Sequence, residues 1–264
     1  MASFYIFLPS NSDKNNLIGR FKVKLPETIR LEGDWEVSMR EFNYTRSWMN
    51  IGSIDDAMVQ ILNFPDNTRL SQVTFYIKYN DYDTPQKLID AIKYAVKEYS
   101  VTAKWGKEPL YKLYYDEDLR RCVIKVYEKN FFIIISEKMA YMLGFETGKI
   151  NRLTKSGKDF EINVAEFPPD MNASMYALMV HCDLVAPQLV GHTYANLLRM
   201  VPISSKFNEN INTVYNDEQY IPVMKKTFDS IEININDDSG NIVNFQFGRT
   251  FLTLHFRKRR RWVV

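Results

Sequence analysis

The side chains best suited to metal chemistry lie in one short stretch. His181, Cys182 and Asp183 are consecutive there, and His192 follows shortly afterwards. On a strand, His181 and Asp183 share one face while Cys182 points to the other. Together with Cys122 they would form a zinc site only if the fold gathered them, because no local spacing matches a zinc motif. We therefore expect no bound metal and interpret these residues as hydrogen-bonded polar side chains of a strand.

Three short acidic clusters are the other candidates for cation binding. They are Asp55–Asp56, Asp116–Asp118 and Asp237–Asp238. None has the glycine and terminal glutamate of a calcium loop, so we interpret them as turn-forming residues. The sequence also contains no GxSxG nucleophile motif, no phosphate-binding glycine loop and no GxGxxG fingerprint. The pattern predicts a protein that is not an enzyme and uses no cofactor.

The strongest charge feature is an unbroken basic run near the C-terminus. It consists of Arg257, Lys258, Arg259, Arg260 and Arg261. The chain has 34 basic and 32 acidic residues, so without this run 29 basic residues face 32 acidic ones, a net charge of −3. Five consecutive cations repel one another and should form a solvated arm. Such an arm binds nucleic-acid phosphates, signals nuclear import or simply keeps a protein soluble.

Tyrosines and lysines are concentrated in the middle of the chain. The set comprises Tyr76, Tyr79, Tyr82, Tyr111, Tyr114 and Tyr115, with Lys78, Lys104, Lys107 and Lys112. Mixtures of this kind bind single-stranded nucleic acid, but they also pack sheets and form protein interfaces. We favour packing or an interface and keep nucleic-acid binding as the alternative.

The sequence indicates a soluble protein made inside the cell. Cys122 and Cys182 are far apart and have no CxxC partner, which argues against a disulfide framework and suits a reducing compartment. No stretch approaches the roughly 18 apolar residues that a membrane span requires. The apolar segment Phe4–Leu8 is too short for the core of a signal peptide.

Alternating apolar residues predict strands in both flanks of the chain. The segments are Phe21–Leu25, Trp35–Arg40, Met175–Leu184, Leu197–Ile203 and, as a short edge strand, Tyr220–Met224. Near the C-terminus, the alternation around Ile233 is followed by the turn residues 237–241 and then by a second alternating stretch. This order predicts an antiparallel hairpin or meander. The residues expected in the core are Trp35, Val37, Ile231, Ile233, Ile235, Leu252 and Leu254.

The middle of the chain has helical features instead. Thr84 followed by Pro85 is a typical helix start, and apolar residues from Leu88 to Tyr99 recur at helical spacing. Ser136 can cap a second, short helix that ends at Gly144. We therefore expect a mainly β protein: a single jelly-roll sandwich formed by residues 1–54 and 161–264, with an inserted α+β domain at 55–160.

Long blocks of the sequence resemble the penton (minor capsid) proteins of Polinton/Maverick elements and adintoviruses. They are LPETIRLEGDWEVSMREFNY (25–44), YDTPQKLIDAI (82–92), LYYDED (113–118), ISEKMAYMLGF (135–145), HCDLVAPQLVGHTYANLLRMVPI (181–203) and FDSIEININDDSGNIVNFQFGRTFLTLHFRKR (228–259). The similarity covers most of the chain and consists of whole blocks rather than a short diagnostic motif.

The resemblance implies a structural rather than a catalytic role. It implies a jelly roll with an inserted domain that assembles as a homopentamer at the fivefold vertices of an icosahedral virion. A double-jelly-roll hexon (major capsid) protein would be its neighbour, and Arg257–Arg261 would contact packaged DNA or the capsid interior. The alternative is a cellular β-rich protein that binds nucleic acid through the basic run and the tyrosine-rich insert.

Overall fold

The computed structural model describes residues 2–63, 71–103, 111–127, 131–146, 161–172 and 175–259. The chain forms two compact units: a sandwich unit, Met1–Trp48 with Met175–Val264, and an insert unit, Met49–Ser174. The insert is thus longer at both ends than the expected 55–160. Backbone hydrogen bonds join Ile51 to Asn80, and a strand that starts at residue 161 pairs with another strand of the insert.

The secondary structure consists of seventeen strands, two α-helices and one 3-10 turn within the described residues. In chain order the strands are β1 (Ser3–Pro9), β2 (Arg20–Arg30), β3 (Trp35–Thr45), β4 (Met58–Asn63), β5 (Ser71–Tyr76), β6 (Tyr111–Asp116), β7 (Arg121–Val126), β8 (Phe131–Ile135), β9 (Glu161–Val164), β10 (Ala177–Cys182), β11 (Gln188–Val190), β12 (Thr193–Ala195), β13 (Leu197–Pro202), β14 (Asn210–Val214), β15 (Ile221–Pro222), β16 (Thr227–Asn236) and β17 (Phe251–Lys258). The helices are α1 (Pro85–Ala103) and α2 (Glu137–Met142), and the 3-10 turn is Ser10–Ser12.

The sandwich unit has the topology of a jelly roll. Sheet A has the strand order β1-β17-β3-β14, with β15 also paired to β3, and sheet B has the order β13-β10-β16-β2. All of these pairings are antiparallel. Successive strands cross repeatedly from one sheet to the other, as in two Greek keys. The insert unit occupies the connection from β3 to β10, and the predicted fold class is confirmed.

The core of the sandwich follows from the alternation of its strands. Ile231, Ile233 and Ile235 on β16 are fully buried, whereas the residues between them point outward. Six of the seven expected core residues are buried. Trp35 is the exception: it is half-buried, and its indole N–H donates a hydrogen bond to the carbonyl of Glu32 at 3.1 Å. A polar ring nitrogen near the rim of the sheet can thus reach a partner.

The predicted C-terminal hairpin or meander is wrong. β16 belongs to sheet B and β17 to sheet A, so the two strands are not hydrogen-bonded neighbours. The turn at 237–241 forms as expected, but the following residues do not pair back along β16 beyond a single bridge at Ile242. Val243 and Phe245 are buried in the core instead. Alternation records which residues point inward, and it does not record which sheet a strand joins.

The insert unit contains two three-stranded sheets and both helices. Their strand orders are β5-β4-β8 and β6-β7-β9. Both predicted helix starts are confirmed: the Thr84 hydroxyl accepts a hydrogen bond from the Lys87 amide at 3.3 Å, and the Ser136 hydroxyl accepts one from the Met139 amide at 3.1 Å. Gly144 follows α2 with a φ of +81°, as a left-handed helix stop requires.

Candidate functional site

The basic run begins inside the last strand. Arg257 and Lys258 are the final residues of β17, where they lie opposite Glu36 and Trp35 of β3. Arg259 follows directly, and its amide donates a hydrogen bond to the carbonyl of Asp34 at 2.8 Å. Arg260 and Arg261 lie outside the described residues. The prediction of a solvated arm of five cations is therefore wrong for its first two residues, because the backbone of Arg257 and Lys258 belongs to strand β17.

Arg257 is held by partners on two other strands or loops of the sandwich. Its Nε donates to Glu36 Oε1 at 2.6 Å, and its guanidinium carbon lies 3.3 Å from the centre of the Tyr220 ring. Burial alone would lower the pKa of Arg257, but the hydrogen bond to Glu36 and the negative charge of Glu36 outweigh it and raise the pKa. Arg257 is thus held in place as a structural cation of sheet A.

Next to Arg257, the outer face of sheet A carries a half-buried polar cluster. His255 Nδ1 lies 3.0 Å from Glu218 Oε1 and 2.7 Å from the Tyr220 hydroxyl, which itself donates to the other oxygen of Glu218. The His255 ring stacks on Tyr5 with centroids 4.4 Å apart. Arg40 lies beside the cluster: its guanidinium is 4.0 Å from Glu218 Oε1 and donates a hydrogen bond to the carbonyl of Tyr215 at 2.7 Å. We call Glu218, Tyr220 and His255 the polar triad.

The triad has perturbed acid–base properties. Burial would raise the pKa of Glu218, but hydrogen bonds from Tyr220 and His255 and the nearby charges of His255 and Arg40 keep it below its usual value. Burial and the adjacent Glu218 raise the pKa of Tyr220 to about 12. Glu218 is therefore the acceptor and Tyr220 a donor at neutral pH. This arrangement fastens the segment before β15 to the face of sheet A.

The sequence alone does not reveal this triad. Glu218 and Tyr220 precede a two-residue edge strand, and His255 is one polar residue among alternating apolar ones on β17. They meet because β15 and β17 both pair with β3. The alternation of β17 predicts that His255 points outward, but it does not predict which side chains contact His255.

The exposed end of the basic run belongs to a larger basic corner. Lys258 lies against Gly33, and Lys226 Nζ lies 3.8 Å from a carboxylate oxygen of Asp34. Lys226, Lys258 and Arg259 are all exposed. Gly33 has a φ of +88°, which allows the tight turn that brings these cations together. The structure thus adds Lys226 to the residues that the sequence predicted.

The residues weighed as metal ligands lie in different environments. Cys122 is buried in the insert unit, and Cys182 is buried in the sandwich core. Burial raises the pKa of both thiols to about 12 and lowers that of His181. Asp183 accepts hydrogen bonds from the Glu232 amide at 2.9 Å and from Lys225 at 2.5 Å. His192 is exposed in the turn between β11 and β12, and no group of three or more metal-ligating side chains occurs among the described residues.

The acidic clusters form turns, as the sequence predicted. Asp116 Oδ1 accepts hydrogen bonds from the amides of Asp118 and Leu119, and Asp237 Oδ1 accepts from those of Ser239 and Asn241. In the cluster Asp55–Asp56, Asp56 forms an ion pair with Lys138 at 3.3 Å.

The tyrosines of the insert are divided between core and surface. Tyr82 is buried and donates to the carbonyl of Lys78 at 2.7 Å. Tyr76 and Tyr79 are about half exposed, and Tyr114 lies beneath the ammonium groups of Lys112 and Lys125. Tyr111 and Tyr115 pack against the insert core. Lys104 and Lys107 lie outside the described residues. Tyr82, Tyr111 and Tyr115 therefore contribute to packing of the insert.

Comparisons with known proteins identify the fold. No protein-family model matches the chain, and no curated protein matches its sequence. None of the described helices is long and apolar enough to cross a membrane. The crystal structure of the selenomethionine-labelled mavirus penton protein is similar over 97% of this chain and 99% of that chain, with a TM-score of 0.52 and 13% sequence identity. The chain therefore has a penton-like fold along nearly its whole length.

Proposed function

We propose that this protein is a capsid penton: a structural subunit whose copies form the fivefold vertices of an icosahedral virus-like particle. The observation that carries the proposal is the similarity to the mavirus penton protein over almost the full length of both chains, including the insert. The blocks that resemble Polinton/Maverick and adintovirus penton proteins support the same role.

The assembled state proposed for this chain is a homopentamer. A closed fivefold ring uses heterologous contacts, in which one surface of each copy meets a different surface of the next. The purified chain should therefore have the mass of five copies by native mass spectrometry, and electron micrographs should show five-membered rings. A chain that stays monomeric at all concentrations, both alone and with its capsid partner, contradicts the proposal.

The proposed surroundings are those of a virion. The neighbouring partner would be a double-jelly-roll hexon protein, and the source a DNA element that encodes a virus-like capsid. The chain would be made inside the host cell and then incorporated into the particle. Co-expression with such a hexon should yield particles that contain this chain at their vertices. Particles that form with the chain left in the soluble fraction would argue against this placement.

The basic corner is proposed to contact packaged DNA through Lys226, Lys258, Arg259 and the following Arg260 and Arg261. Binding of this kind releases counterions, so it weakens steeply as salt is added. Replacing Lys258 and Arg259 with Glu should weaken binding to a DNA duplex and reduce its salt dependence by about one unit of slope for each lost contact. Lys87 and Lys93 on α1, replaced in the same way, are the control. Equal effects in both variants would indicate general charge attraction.

The alternative is a cellular protein that binds nucleic acid as a monomer. Its mass would be that of one chain, and its affinity for single strands would depend on Tyr114 and its neighbouring lysines. The mass measurement above separates this alternative from the penton proposal.

A further inference from the structure

The first strand of the sandwich is an unprotected sheet edge. β1 pairs with β17 on one side and has no strand on its other side within the described part of the chain. An edge strand presents unpaired backbone N–H and C=O groups, and proteins usually protect it with charged residues, proline, a bulge or a short length. β1 has seven residues, none of them charged, and its register with β17 is unbroken from Ser3 to its terminal Pro9.

The other edges of the two sheets have more of these protective features. β2 carries Arg20, Lys22 and Lys24, and its register with β16 is irregular. β13 contains Arg199, and its register with β10 is also irregular. β14 is only five residues long and mostly polar. Among these edges, β1 is therefore the one best suited to pair with a further strand.

The side chains of β1 are incompletely covered on both faces of the sheet. On the outer face, Tyr5 is 50% exposed and Phe7 is 70% exposed. On the inner face, Phe4 and Ile6 are only half-buried at the rim of the sandwich core. A strand added at this edge would therefore meet apolar side chains on both faces. Its own residues should be consecutively apolar, because successive side chains of a strand point to opposite faces.

Residues 260–264, which follow β17 and lie outside the described residues, contain a run of this kind. Trp262, Val263 and Val264 are consecutive, and all three are residue types that favour strands. No other stretch of the sequence outside the described residues has three consecutive apolar residues. In a strand, Trp262 and Val264 would share one face and would have the same two-residue spacing as Tyr5 and Phe7.

The length of this segment decides between the β1 edge of its own chain and that of a second copy. The chain leaves β17 where β1 begins, because the Lys258 amide donates to the carbonyl of Ala2, and the Arg259 amide is bonded to Asp34 on the side of β3. The free side of the same chain's β1 is two strand spacings, about 10 Å, from β17. The three steps from Arg259 to Trp262 span roughly 10 Å at full extension, which leaves no length for the reversal of direction that is also needed.

We propose that Trp262, Val263 and Val264 of one copy add as a short strand to the free edge of β1 in a second copy. Arg260 and Arg261 then link the two copies and stay outside the contact with β1. The donated segment and the receiving edge are different surfaces, so the contact is heterologous, as a closed ring requires. The inference rests on the proposed penton function and identifies the segment that connects neighbouring subunits.

The test uses two variants of the whole chain, measured by native mass spectrometry and sedimentation. Removal of residues 262–264 keeps all five cations of the basic run but removes the donated strand, whereas Phe7→Lys places a charge on the receiving edge. Each should weaken association by about tenfold or more. Val214→Lys is the matched control, because Val214 is a 51% exposed apolar residue on the other edge of sheet A. Circular dichroism and thermal melting verify that each variant is folded.

The contact is wrong if either variant assembles as the wild type does, or if Val214→Lys weakens association equally. Mixing the two variants at high concentration then tests exchange between copies. The Phe7→Lys chain still has residues 262–264, and the truncated chain still has an open β1 edge, so the mixture should form dimers with one copy of each variant and no ring. A mixture that contains only monomers contradicts the exchange.

The wild-type chain separates this contact from the proposed function. A wild-type chain that forms no ring refutes the penton proposal and this contact together. A ring that persists after residues 262–264 are removed refutes the contact alone.

Discussion

The sandwich unit and the insert unit are built from contacts of very different sequence range. In the sandwich, β1 pairs with β17, so that Ser3 lies opposite Arg257, and β3 pairs with both β14 and β17. In the insert, β4 pairs with β5 and β6 with β7, each pair adjacent along the chain. The sandwich therefore depends on pairing between the two ends of the chain, whereas the insert combines these neighbouring pairs with the longer-range pairs β4–β8 and β7–β9.

This difference predicts which substitutions act on which unit. Core truncation should dominate in the sandwich, where apolar side chains from both sheets meet. Backbone and capping changes should dominate in the insert, whose helices are specified locally.

Phe256→Ala should have the largest effect. The side chain is fully buried between the sheets and stacks on Phe4 with ring centroids 4.9 Å apart. Its removal should lower the free energy of unfolding by about 3–5 kcal/mol through lost transfer energy and a residual cavity. Chemical denaturation gives the magnitude, and hydrogen exchange should show the loss in β1, β3 and β17. Equal loss of protection in α1 would show that the two units unfold together.

Gly144→Ala should destabilise the insert by more than about 1 kcal/mol. The residue has a φ of +81°, and a Cβ there would lie 2.1 Å from the carbonyl oxygen of Phe167. A side chain would therefore strain both the left-handed backbone and the neighbouring segment. Gly240→Ala is the control, since its φ is +87° but nothing lies within 4 Å of the added Cβ. Similar costs for both variants would show that the φ angle matters and the close contact does not.

The polar triad should make the sandwich sensitive to pH at both extremes. Because the pKa of Glu218 is lowered in the folded state, its contribution to stability is complete above its unfolded pKa and is lost as the pH falls through the folded value. The raised pKa of Tyr220 has the opposite sign: its contribution is complete below its ordinary value of 10.0 and is lost as the pH rises towards about 12.

Glu218→Gln should therefore cost about 1 kcal/mol at neutral pH, where the triad loses its acceptor charge. The difference in melting temperature between wild type and Glu218→Gln should shrink as the solution is acidified. Glu117→Gln, which alters an exposed carboxylate in the insert, is the control. A difference that stays constant down to strongly acidic pH would show that the charge of Glu218 does not stabilise the sandwich.

Truncation after Arg259 should have the smallest effect on folding, within about 0.5 kcal/mol of the full chain. By contrast, Arg257→Ala should cost about 1 kcal/mol, because it removes the ion pair with Glu36 and the contact with Tyr220. Thermal melting of the two variants side by side is the measurement. A truncation that melts as low as Arg257→Ala would show that the last residues contribute to the fold.

Local sequence patterns specified several of the elements and their inward faces. The alternation of Ile231, Ile233 and Ile235 specified a buried strand face, and Thr84 and Ser136 specified the helix starts, because these signals act within a few residues. The resemblance of whole blocks also pointed to the jelly roll. Each of these features depends on side-chain period or on local hydrogen bonds.

Which elements contact one another depends on the tertiary structure. β16 and β17 have the sequence pattern of a hairpin, yet they belong to different sheets. The pattern requires only that one face of each strand is buried, and a strand of either sheet meets that requirement. In the same way, Glu218 and His255 are in contact because β15 and β17 both pair with β3. Arg257 belongs to the basic run, and it forms an ion pair with Glu36 because β17 pairs with β3. Strand pairing over long range is set by the packing of the whole core, and no local pattern in the sequence contains it.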